Sequence, residues 1–501
     1  MRTLNRRDFL KSAGAGMALL TGSAQPAPAV PNIIFILADD IGYGDLSCYG
    51  ATKVKTPNVD RIAKEGMRFT DAHAGASVCS PTRYGFMTGQ YPFRNPSGDH
   101  ILSGEAPLSI NTDMPTVASV LKPAGYATGI VGKWHMGLGD GEIAWNTEIK
   151  PGPLELGFDY AFYYPATNDR VPCVYIENHR VVGLDKKDPI VVRYSEKIGN
   201  EPTGKENPEL LRLKIEKGHD GTIVDGVSRI GFMMGGKSAR WHDEDMADTL
   251  TRKAVGFIER NKAKPFFLYF ATNTIHSPRL PNQRFKGTSG CGNRCDTIHE
   301  FDSSVGEILA TLDKLNLTNN TLLILSSDNG GNMDDGYVQF DVRDANGHKC
   351  NGDLRGYKGS LYEGGNREPF LARWPGKVAA GSKSDELVCL NDMLATFSAV
   401  AGQPLASDAG PDSINLLPVL MGKKSNRDHL VMQAGNGRVL AVRKKNWKLI
   451  PKNPQSQEPQ LYDLSTDLAE TKNLAAEKPE KVRELTELLT RVRNQPVSRE
   501  L

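Results

Sequence analysis

Four short apolar runs stand out along the 501-residue chain, and each is followed closely by charged or amide residues. Runs of this length, rich in β-branched and aromatic residues, are typical of strands buried on both faces. Between the last two runs, apolar residues recur at helical spacing from Phe301 to Leu312. Buried strands that alternate with helices predict an α/β fold with a mostly parallel central sheet flanked by helices. The predicted strands are Asn32–Ala38, Tyr126–Val131, Phe266–Ala271 and Leu322–Leu325.

The pattern changes near Arg427, where shorter elements follow one another. Val439–Val442 and Trp447–Ile450 predict two short strands, and Pro479–Arg493 predicts an amphipathic terminal helix. These elements indicate a smaller C-terminal α+β subdomain. By contrast, residues 160–245 are irregular, with mixed charge and many Gly and Pro, and we expect them to pass over one edge of a site.

One helix start can be read residue by residue. Thr56 precedes Pro57 and is expected to act as an N-cap, because a hydroxyl there accepts a backbone N–H and proline suits the first helical turn. Gly66 marks the expected end of this helix.

The N-terminus has the pattern of a targeting segment. Asn5–Lys11 resembles a twin-arginine export signal, an apolar stretch follows from Ser12 to Gly22, and residues 27–29 form a small-residue cleavage site. The apolar stretch is shorter than the roughly 20 residues that a membrane span needs, so no transmembrane segment is expected. We therefore exclude residues 1–29 from the fold and expect export through the twin-arginine machinery to the bacterial periplasm or beyond.

Net charge bears on the possible binding partners, and the cysteine spacing bears on disulfides and zinc sites. A formal net charge of +2 gives no support for nucleic-acid binding, which calls for a basic excess or stripe. Among the seven cysteines, Cys291 and Cys295 are close enough in sequence for a local disulfide. Zinc ligation is the alternative, although no second Cys/His pair stands nearby at the usual spacing.

Polar residues suited to cations or oxyanions follow all four predicted strands. Because ligands of open α/β sheets bind at the carboxyl ends of the strands, these side chains are expected at one rim. Carboxylate and amide oxygens there suit a divalent cation of the calcium or magnesium type, and the alternative is that they serve as turn or helix caps. The residues are Asp39, Asp40, Lys133, His135, His276, Asp328 and Asn329.

A further motif lies between the first two strands. Cys79, Pro81 and Arg83 form a C-x-P-x-R arrangement, which is unusual for ordinary packing. The cysteine is expected at the start of a helix, where backbone N–H groups favour an anion. The alternative is a buried structural cysteine, the usual state of a free thiol.

Taken in this order, the C-x-P-x-R motif and the rim residues resemble the type I sulfatases of the alkaline-phosphatase superfamily. The resemblance covers most of the chain from Asn32 onward and implies an alkaline-phosphatase-like fold. It divides the sequence into a signal peptide at 1–29, a catalytic sulfatase domain at 30–424 and a C-terminal subdomain at 425–501.

The resemblance also implies the chemistry of the site. Cys79 would be oxidised to formylglycine by a dedicated maturation enzyme, and its aldehyde hydrate would attack a sulfate ester. Arg83 would hold the hydrate, Lys133 would neutralise sulfate, and His135 would take the proton of the second hydroxyl. The remaining assignments are His276 and Lys358 at the bridging oxygen and leaving alcohol, and Asp39, Asp40, Cys79, Asp328 and Asn329 around one calcium ion.

The implied activity is hydrolysis of sulfate esters, with a sulfated carbohydrate as the expected substrate. N-acetylgalactosamine 6-sulfate or galactose 6-sulfate is the expected sugar. Within the irregular region, residues 168–170 and 179–180 are candidates for reading sugar hydroxyls, with a surface-loop role as the alternative. Two rival functions are a phosphonate or phosphodiester hydrolase of the same superfamily and an inactive sugar-binding pseudo-sulfatase.

Overall fold

The structure is a computed structural model that describes residues 30–333, 336–338, 346–435, 437, 439–454 and 456–499. The signal peptide expected at residues 1–29 lies outside the described residues. Across the ranges that are described, no helix combines the length and apolar character needed to span a bilayer. The described chain from Pro31 onward belongs to one compact unit, and the boundary between residues 424 and 425 stays a prediction.

The fold is built on a large mixed sheet and a smaller antiparallel sheet. In the described residues the strands are, in chain order, β1 Asn32–Ala38, β2 Met67–Phe69, β3 Ala72–His73, β4 Ala127–Lys133, β5 Tyr160–Tyr164, β6 Ile176–Glu177, β7 Arg180–Val181, β8 Val191–Arg193, β9 Ile223–Val224, β10 Val227–Ser228, β11 Phe232–Met234, β12 Phe266–Ala271, β13 Thr321–Ser327, β14 Phe370–Arg373, β15 Ser382–Ser384, β16 Val388–Cys389, β17 His429–Gln433, β18 Leu440–Lys444, β19 Trp447–Ile450 and β20 Gln460–Asp463. The α-helices are α1 Pro57–Glu65, α2 Cys79–Thr88, α3 Met246–Asn261, α4 Asn293–Lys314, α5 Glu363–Asn366, α6 Met393–Val400, α7 Leu417–Leu420 and α8 Pro479–Asn494.

The large sheet has its strands in the order β15-β2-β14-β13-β1-β12-β4-β5-β6-β7. Its five middle strands, β13 to β5 in that order, are parallel to one another. Antiparallel pairs appear on both sides, where β14 joins β13 to β2 and β6 joins β5 to β7. The predicted α/β class is confirmed, and beyond the five parallel middle strands the sheet is mixed, since antiparallel pairs flank them and β15 pairs with β2 in parallel.

All four predicted strands occur in the parallel middle of the sheet. β1 and β12 have the predicted ends, whereas β4 and β13 extend further at their carboxyl ends, to Lys133 and Ser327. Ala38 pairs with Ser327 on one side, and Ala271 pairs with Leu37 and Gly132 on the other. The four carboxyl ends are therefore level, and the polar residues that follow them share one rim.

Helix α1 begins at Pro57 as predicted, but the cap comes from elsewhere. The Thr56 hydroxyl makes no capping hydrogen bond. Instead, the carboxylate of Asp302 on α4 accepts the backbone N–H groups of Asn58 and Val59, at 3.0 and 2.9 Å. Thr56 occupies the N-cap position as predicted, but a side chain 244 residues away supplies the acceptor.

The C-terminal elements form the smaller sheet, in which β17, β18, β19 and β20 are antiparallel neighbours. Helix α8 packs on β18 and β19 and buries Leu485, Leu488, Leu489 and Val492.

Cys291 and Cys295 form a disulfide at the start of α4, so the local bridge is confirmed over zinc ligation.

Candidate active site

Backbone hydrogen bonds tie together the loops that leave β1, β12 and β13. Asp39 N–H donates to Thr274 O at 3.1 Å, and Ile275 N–H donates back to Asp39 O at 2.7 Å. Asp328 N–H donates to Ala38 O at 3.2 Å. The sheet ladder thus continues for one residue beyond the strands and brings Asp39, Asp40, His276 and Asp328 to one place.

The two aspartates after β1 are fully buried, and each forms an ion pair with a lysine. Lys133 Nζ lies 2.8 Å from both carboxylate oxygens of Asp39. Lys358 Nζ lies 2.6 and 2.8 Å from those of Asp40. Asn329 Nδ2 also donates to Asp40 Oδ1 at 2.7 Å. Lysines from two distant segments therefore balance the acidic doublet.

The pKa values of the two aspartates are shifted in opposite directions. Burial raises the pKa of Asp39 to about 6, with Lys133 opposing the rise and Asp328 adding to it. Burial also acts on Asp40, but Lys358 and His276 outweigh it and hold the pKa of Asp40 below its ordinary value. Carboxylates this crowded are the setting in which a divalent cation relieves repulsion.

The donor set fits a hard divalent cation. Among the described residues, the buried Asn329 Oδ1 has no hydrogen-bond partner, so this amide oxygen is available as a cation ligand beside the carboxylates. Ligand atoms of Asp39, Asp40, Cys79 and His276 all lie within 4.8 Å of one another. Calcium takes six to eight oxygens, and the one sulfur in this group is Cys79. The site fits calcium best if Cys79 presents oxygen instead of sulfur.

Cys79 is the first residue of α2, as the motif predicted, and its side chain is buried. Burial alone would raise the pKa of its thiol, but Lys133 and Lys358 outweigh burial and lower it. Thr82 in the same motif donates its hydroxyl to Ala76 O at 2.7 Å and so fixes the approach to the helix. The side chain of Cys79 thus lies in a cationic environment at a helix N-terminus, where an anion is favoured.

Arg83 makes contacts that its sequence position did not suggest. Its guanidinium donates from Nε and Nη2 to Asp328 Oδ2, at 3.1 and 2.8 Å, and from Nη1 to Lys133 O at 3.3 Å. Arg83 therefore orients Asp328 and the end of β4. Its expected contact with the hydrated aldehyde stays a prediction.

The two histidines differ in environment. His135 Nε2 lies 2.9 Å from Leu102 O, and the buried Nδ1 has no protein partner among the described residues. Burial, followed by the charges of Lys133 and Arg170, holds the pKa of His135 well below its usual range. Because the Leu102 carbonyl can only accept, Nε2 carries the hydrogen, and the lowered pKa favours a neutral ring with Nδ1 as its acceptor.

His276 lies on the other side of the acidic doublet. Its Nδ1 lies 2.7 Å from Ser277 O and its Nε2 lies 3.9 Å from Asp40 Oδ2. Burial and Lys358 act to lower the pKa of His276, but the carboxylates of Asp39, Asp40 and Asp169 raise it to about 9.

The irregular region meets the site at residues 168–170. His219 Nε2 lies 2.9 Å from Asp169 Oδ2, and Arg170 Nη1 lies 3.3 Å from Asp169 Oδ1. The buried Asn168 Oδ1 is without a hydrogen-bond partner in the described part of the chain. His179 and Arg180 lie instead at the sheet edge, paired with Glu155 and Glu148, which favours the surface-loop alternative for them.

One buried group beside the site was not anticipated from the sequence. Arg294 Nη2 donates to Asp40 O at 3.2 Å and to Asp45 Oδ2 at 2.7 Å, while His348 Nε2 lies 2.7 Å from Asp45 Oδ1. These residues hold the loop in which Asp40 adopts a left-handed backbone, with φ of 67°. Their wide separation along the chain leaves no local sequence signal.

Known proteins match both the fold and the chain. The Sulfatase family model matches residues 31–403, and the model of the N-sulphoglucosamine sulphohydrolase C-terminal region matches residues 356–495. The N-acetylgalactosamine-6-O-sulfatase of Bacteroides thetaiotaomicron is 49% identical over 500 residues, covering 95% of this chain and 97% of the relative. Human arylsulfatase A is 34% identical over 420 residues, covering 83% and 72%.

A solved structure from work on glycosaminoglycan metabolism by Bacteroides thetaiotaomicron has a TM-score of 0.91 at 49% identity, covering 93% of this chain and 100% of its own. The level strand ends, the rim residues and these matches agree. The chain belongs to the sulfatase family and is a sulfuric ester hydrolase of the arylsulfatase-like, alkaline-phosphatase-like fold.

Proposed function

We propose that this sulfatase hydrolyses the 6-sulfate ester of N-acetylgalactosamine in sulfated carbohydrate and releases inorganic sulfate. The observation that carries the proposal is the 49% identity over 500 residues with an N-acetylgalactosamine-6-O-sulfatase. The site supports it, because the start of α2 and the ammonium groups of Lys133 and Lys358 surround Cys79 with positive charge. Galactose 6-sulfate is the neighbouring substrate that must be compared.

The proposal includes conversion of Cys79 to formylglycine and one bound calcium ion. Formylglycine would supply an aldehyde hydrate, with one hydroxyl as the nucleophile toward sulfur and the second as the group through which sulfate is later released. Calcium, when bound, polarises a sulfate oxygen. The residues that would hold the ion are Asp39, Asp40, Asp328, Asn329 and the converted Cys79.

The remaining side chains have separable tasks. Lys133 neutralises sulfate charge, while Arg83 holds Asp328 in place as a positioning residue. His135 is suited to take the proton of the second hydroxyl because its buried Nδ1 has no partner among the described residues, while Nε2 is occupied by Leu102 O. His276 and Lys358 lie on either side of Asp40, where they are suited to stabilise and protonate the leaving alcohol.

We further propose that Asn168, Asp169 and Arg170 contact the sugar. Asn168 offers a buried, unpartnered amide oxygen, and Asp169 is close enough to His276 for its charge to be felt there. A buried polar atom without a partner carries a desolvation cost that a sugar hydroxyl would remove. These residues are therefore suited to reading hydroxyls next to the sulfated carbon.

The place of action and the maturation partners are also part of the proposal. A twin-arginine-type leader would carry an already folded, already modified protein to the periplasm or outside the cell. The partners implied are the export machinery and a formylglycine-generating enzyme. The motif residues that support them are Arg6 and Arg7 in the leader and the Cys79 to Arg83 segment.

The test is sulfate release from a panel of defined sulfated sugars by protein co-produced with a maturation enzyme. We expect 6-sulfated N-acetylgalactosamine to have the highest kcat/KM, at least tenfold above 4-sulfated and N-sulfated sugars. Aryl sulfate and aryl phosphodiester are compared in parallel. Preference for another sulfate position would overturn the substrate assignment, and faster phosphodiester cleavage would favour the rival hydrolase.

A further inference from the structure

A cleft of about 500 Å³ opens beside the proposed catalytic centre. Val78, which directly precedes Cys79, and Lys358 are among its lining residues, so the cleft reaches the surroundings of the nucleophile. Its other side is formed by the C-terminal region, including Val439, which precedes β18, and Gln460, the first residue of β20. The volume lies within the roughly 300–1,000 Å³ typical of small-ligand sites.

Backbone hydrogen bonds join the segments that line this cleft. Gly359 N–H donates to Ser77 O at 2.7 Å, and Gly435 N–H donates to Gly359 O at 3.1 Å. The segment that leads into the motif, the Lys358 loop and the C-terminal region are therefore connected side by side. Such a site is formed before a ligand arrives, which limits the ordering cost of binding.

The lining has the chemistry of a sugar site. Lys358 is the one charged residue among the described lining residues, and no carboxylate faces the cleft there. Gln460 Oε1 accepts hydrogen bonds from the hydroxyls of Tyr362 and Tyr462, at 2.9 and 2.7 Å. The amide is thereby oriented with Nε2 as the donor. Amides and hydroxyls beside an apolar wall suit a ring that has hydroxyl groups and an apolar face.

We propose that this cleft binds a second sugar unit on the leaving-group side of the sulfate ester. This rests on the function proposed above, in which Lys358 contacts the oxygen that joins sulfur to the sugar. Lys358 then lies between the sulfate and the cleft, so a chain that continues from the sulfated ring can extend along the C-terminal region. The preferred substrate is therefore a disaccharide or longer chain, and the free sulfated monosaccharide lacks part of the binding energy.

The experiment measures kcat/KM for nitrophenyl sulfate, for 6-sulfated N-acetylgalactosamine, and for disaccharides that extend it through C1 or through O3. Gln460→Glu keeps the acceptor for both tyrosine hydroxyls, removes the amide donor and adds a negative charge. Gln457→Glu is the matched control, because Gln457 is exposed and does not line the cleft. Val439→Phe, which fills the cleft, is a second probe.

We expect the wild type to prefer one of the disaccharides over the monosaccharide by about fivefold or more, the range of one or two hydrogen bonds. Gln460→Glu and Val439→Phe should remove this preference and change the monosaccharide and nitrophenyl values by less than about twofold, with Gln457→Glu unaltered. Active enzyme with no disaccharide preference overturns the cleft assignment and leaves the proposed function standing. Equal losses on monosaccharide and disaccharide place the sulfated ring itself in the cleft and also overturn it. If the enzyme cleaves nitrophenyl sulfate but none of the sulfated sugars, the proposed substrate itself is refuted.

Discussion

Replacing Lys448 by methionine should destabilise the protein strongly, because this lysine lies in a buried ionic cluster that joins the C-terminal sheet to the rest of the fold. Lys448 Nζ is 2.9 Å from Glu363 Oε1 and 2.9 Å from Glu470 Oε1, and all three side chains are fully buried. The backbone carbonyl of Glu470 accepts Arg355 Nη1 at 2.7 Å, and Gly364 N–H donates to Arg355 O at 2.7 Å. The cluster therefore adjoins the loop that carries Lys358.

Charge balance sets the size of the effect. The cluster holds three carboxylates and three cations, namely Asp71, Glu363 and Glu470 against Arg367, Arg443 and Lys448. Asp71, His73 and Glu363 lie close enough to share a cation, yet the charges are already balanced without one. Removing one partner from a buried pair costs about 3–5 kcal/mol, so Lys448→Met should lower the free energy of unfolding by that amount near pH 7.5.

The loss should depend on pH. Burial, together with the charge of Glu363, raises the pKa of Glu470 against the opposing effect of Lys448. Without Lys448 the pKa of Glu470 rises further, and a carboxyl whose folded pKa is raised favours the folded state at low pH and loses that contribution as pH increases. The variant should therefore be destabilised less at pH 5 than at pH 8.

The assay is urea unfolding of wild type, Lys448→Met and the control Lys452→Met at pH 5 and 8. Lys452 is exposed in the same region, and its replacement should change stability by less than about 0.5 kcal/mol. Adding Glu470→Gln to Lys448→Met should recover part of the loss. A loss below about 1 kcal/mol, or an equal loss at both pH values, would refute the reasoning.

Three further predictions concern the active site. His276→Ala and Lys358→Ala should reduce kcat/KM for sulfated sugar at least tenfold more than for nitrophenyl sulfate, because a sugar alkoxide needs a proton or positive charge to leave; equal losses on both substrates would contradict this role. Asp328→Ala should abolish stoichiometric calcium binding, measured by metal analysis after dialysis, and retained calcium would place the ion elsewhere. Arg294→Met should weaken calcium binding about tenfold by releasing the Asp40 loop, within the range seen for residues that orient metal ligands; a lower Tm with unchanged calcium affinity would indicate a purely structural role.

The sequence was sufficient to predict features that depend on local pattern. The apolar runs located the middle strands, and the rule that ligands bind at strand carboxyl ends predicted that Asp39, Asp328 and His276 lie together. The C-x-P-x-R spacing likewise indicated that Cys79 begins a helix. These succeeded because burial on both faces of a parallel sheet leaves a clear apolar signature.

Contacts between distant segments could not be predicted in this way. The Asp302 carboxylate caps α1, and Arg294 supports the Asp40 loop, yet neither position has a local signal. Arg83 was expected at the hydrated aldehyde, which stays a prediction, and the structure shows its guanidinium hydrogen-bonded to Asp328. Pairing of buried charges depends on which side chains the finished fold brings together. The local sequence pattern does not specify these pairs.

The most direct test of the account is the chemical state of Cys79 compared with sulfate release. Protein produced with and without a maturation enzyme is analysed by peptide mass spectrometry and assayed on 6-sulfated N-acetylgalactosamine. We predict that activity rises in proportion to the formylglycine fraction at Cys79 and that Cys79→Ala loses turnover by a factor on the order of 10⁶. Full activity in protein whose Cys79 is entirely an unmodified thiol would contradict the account.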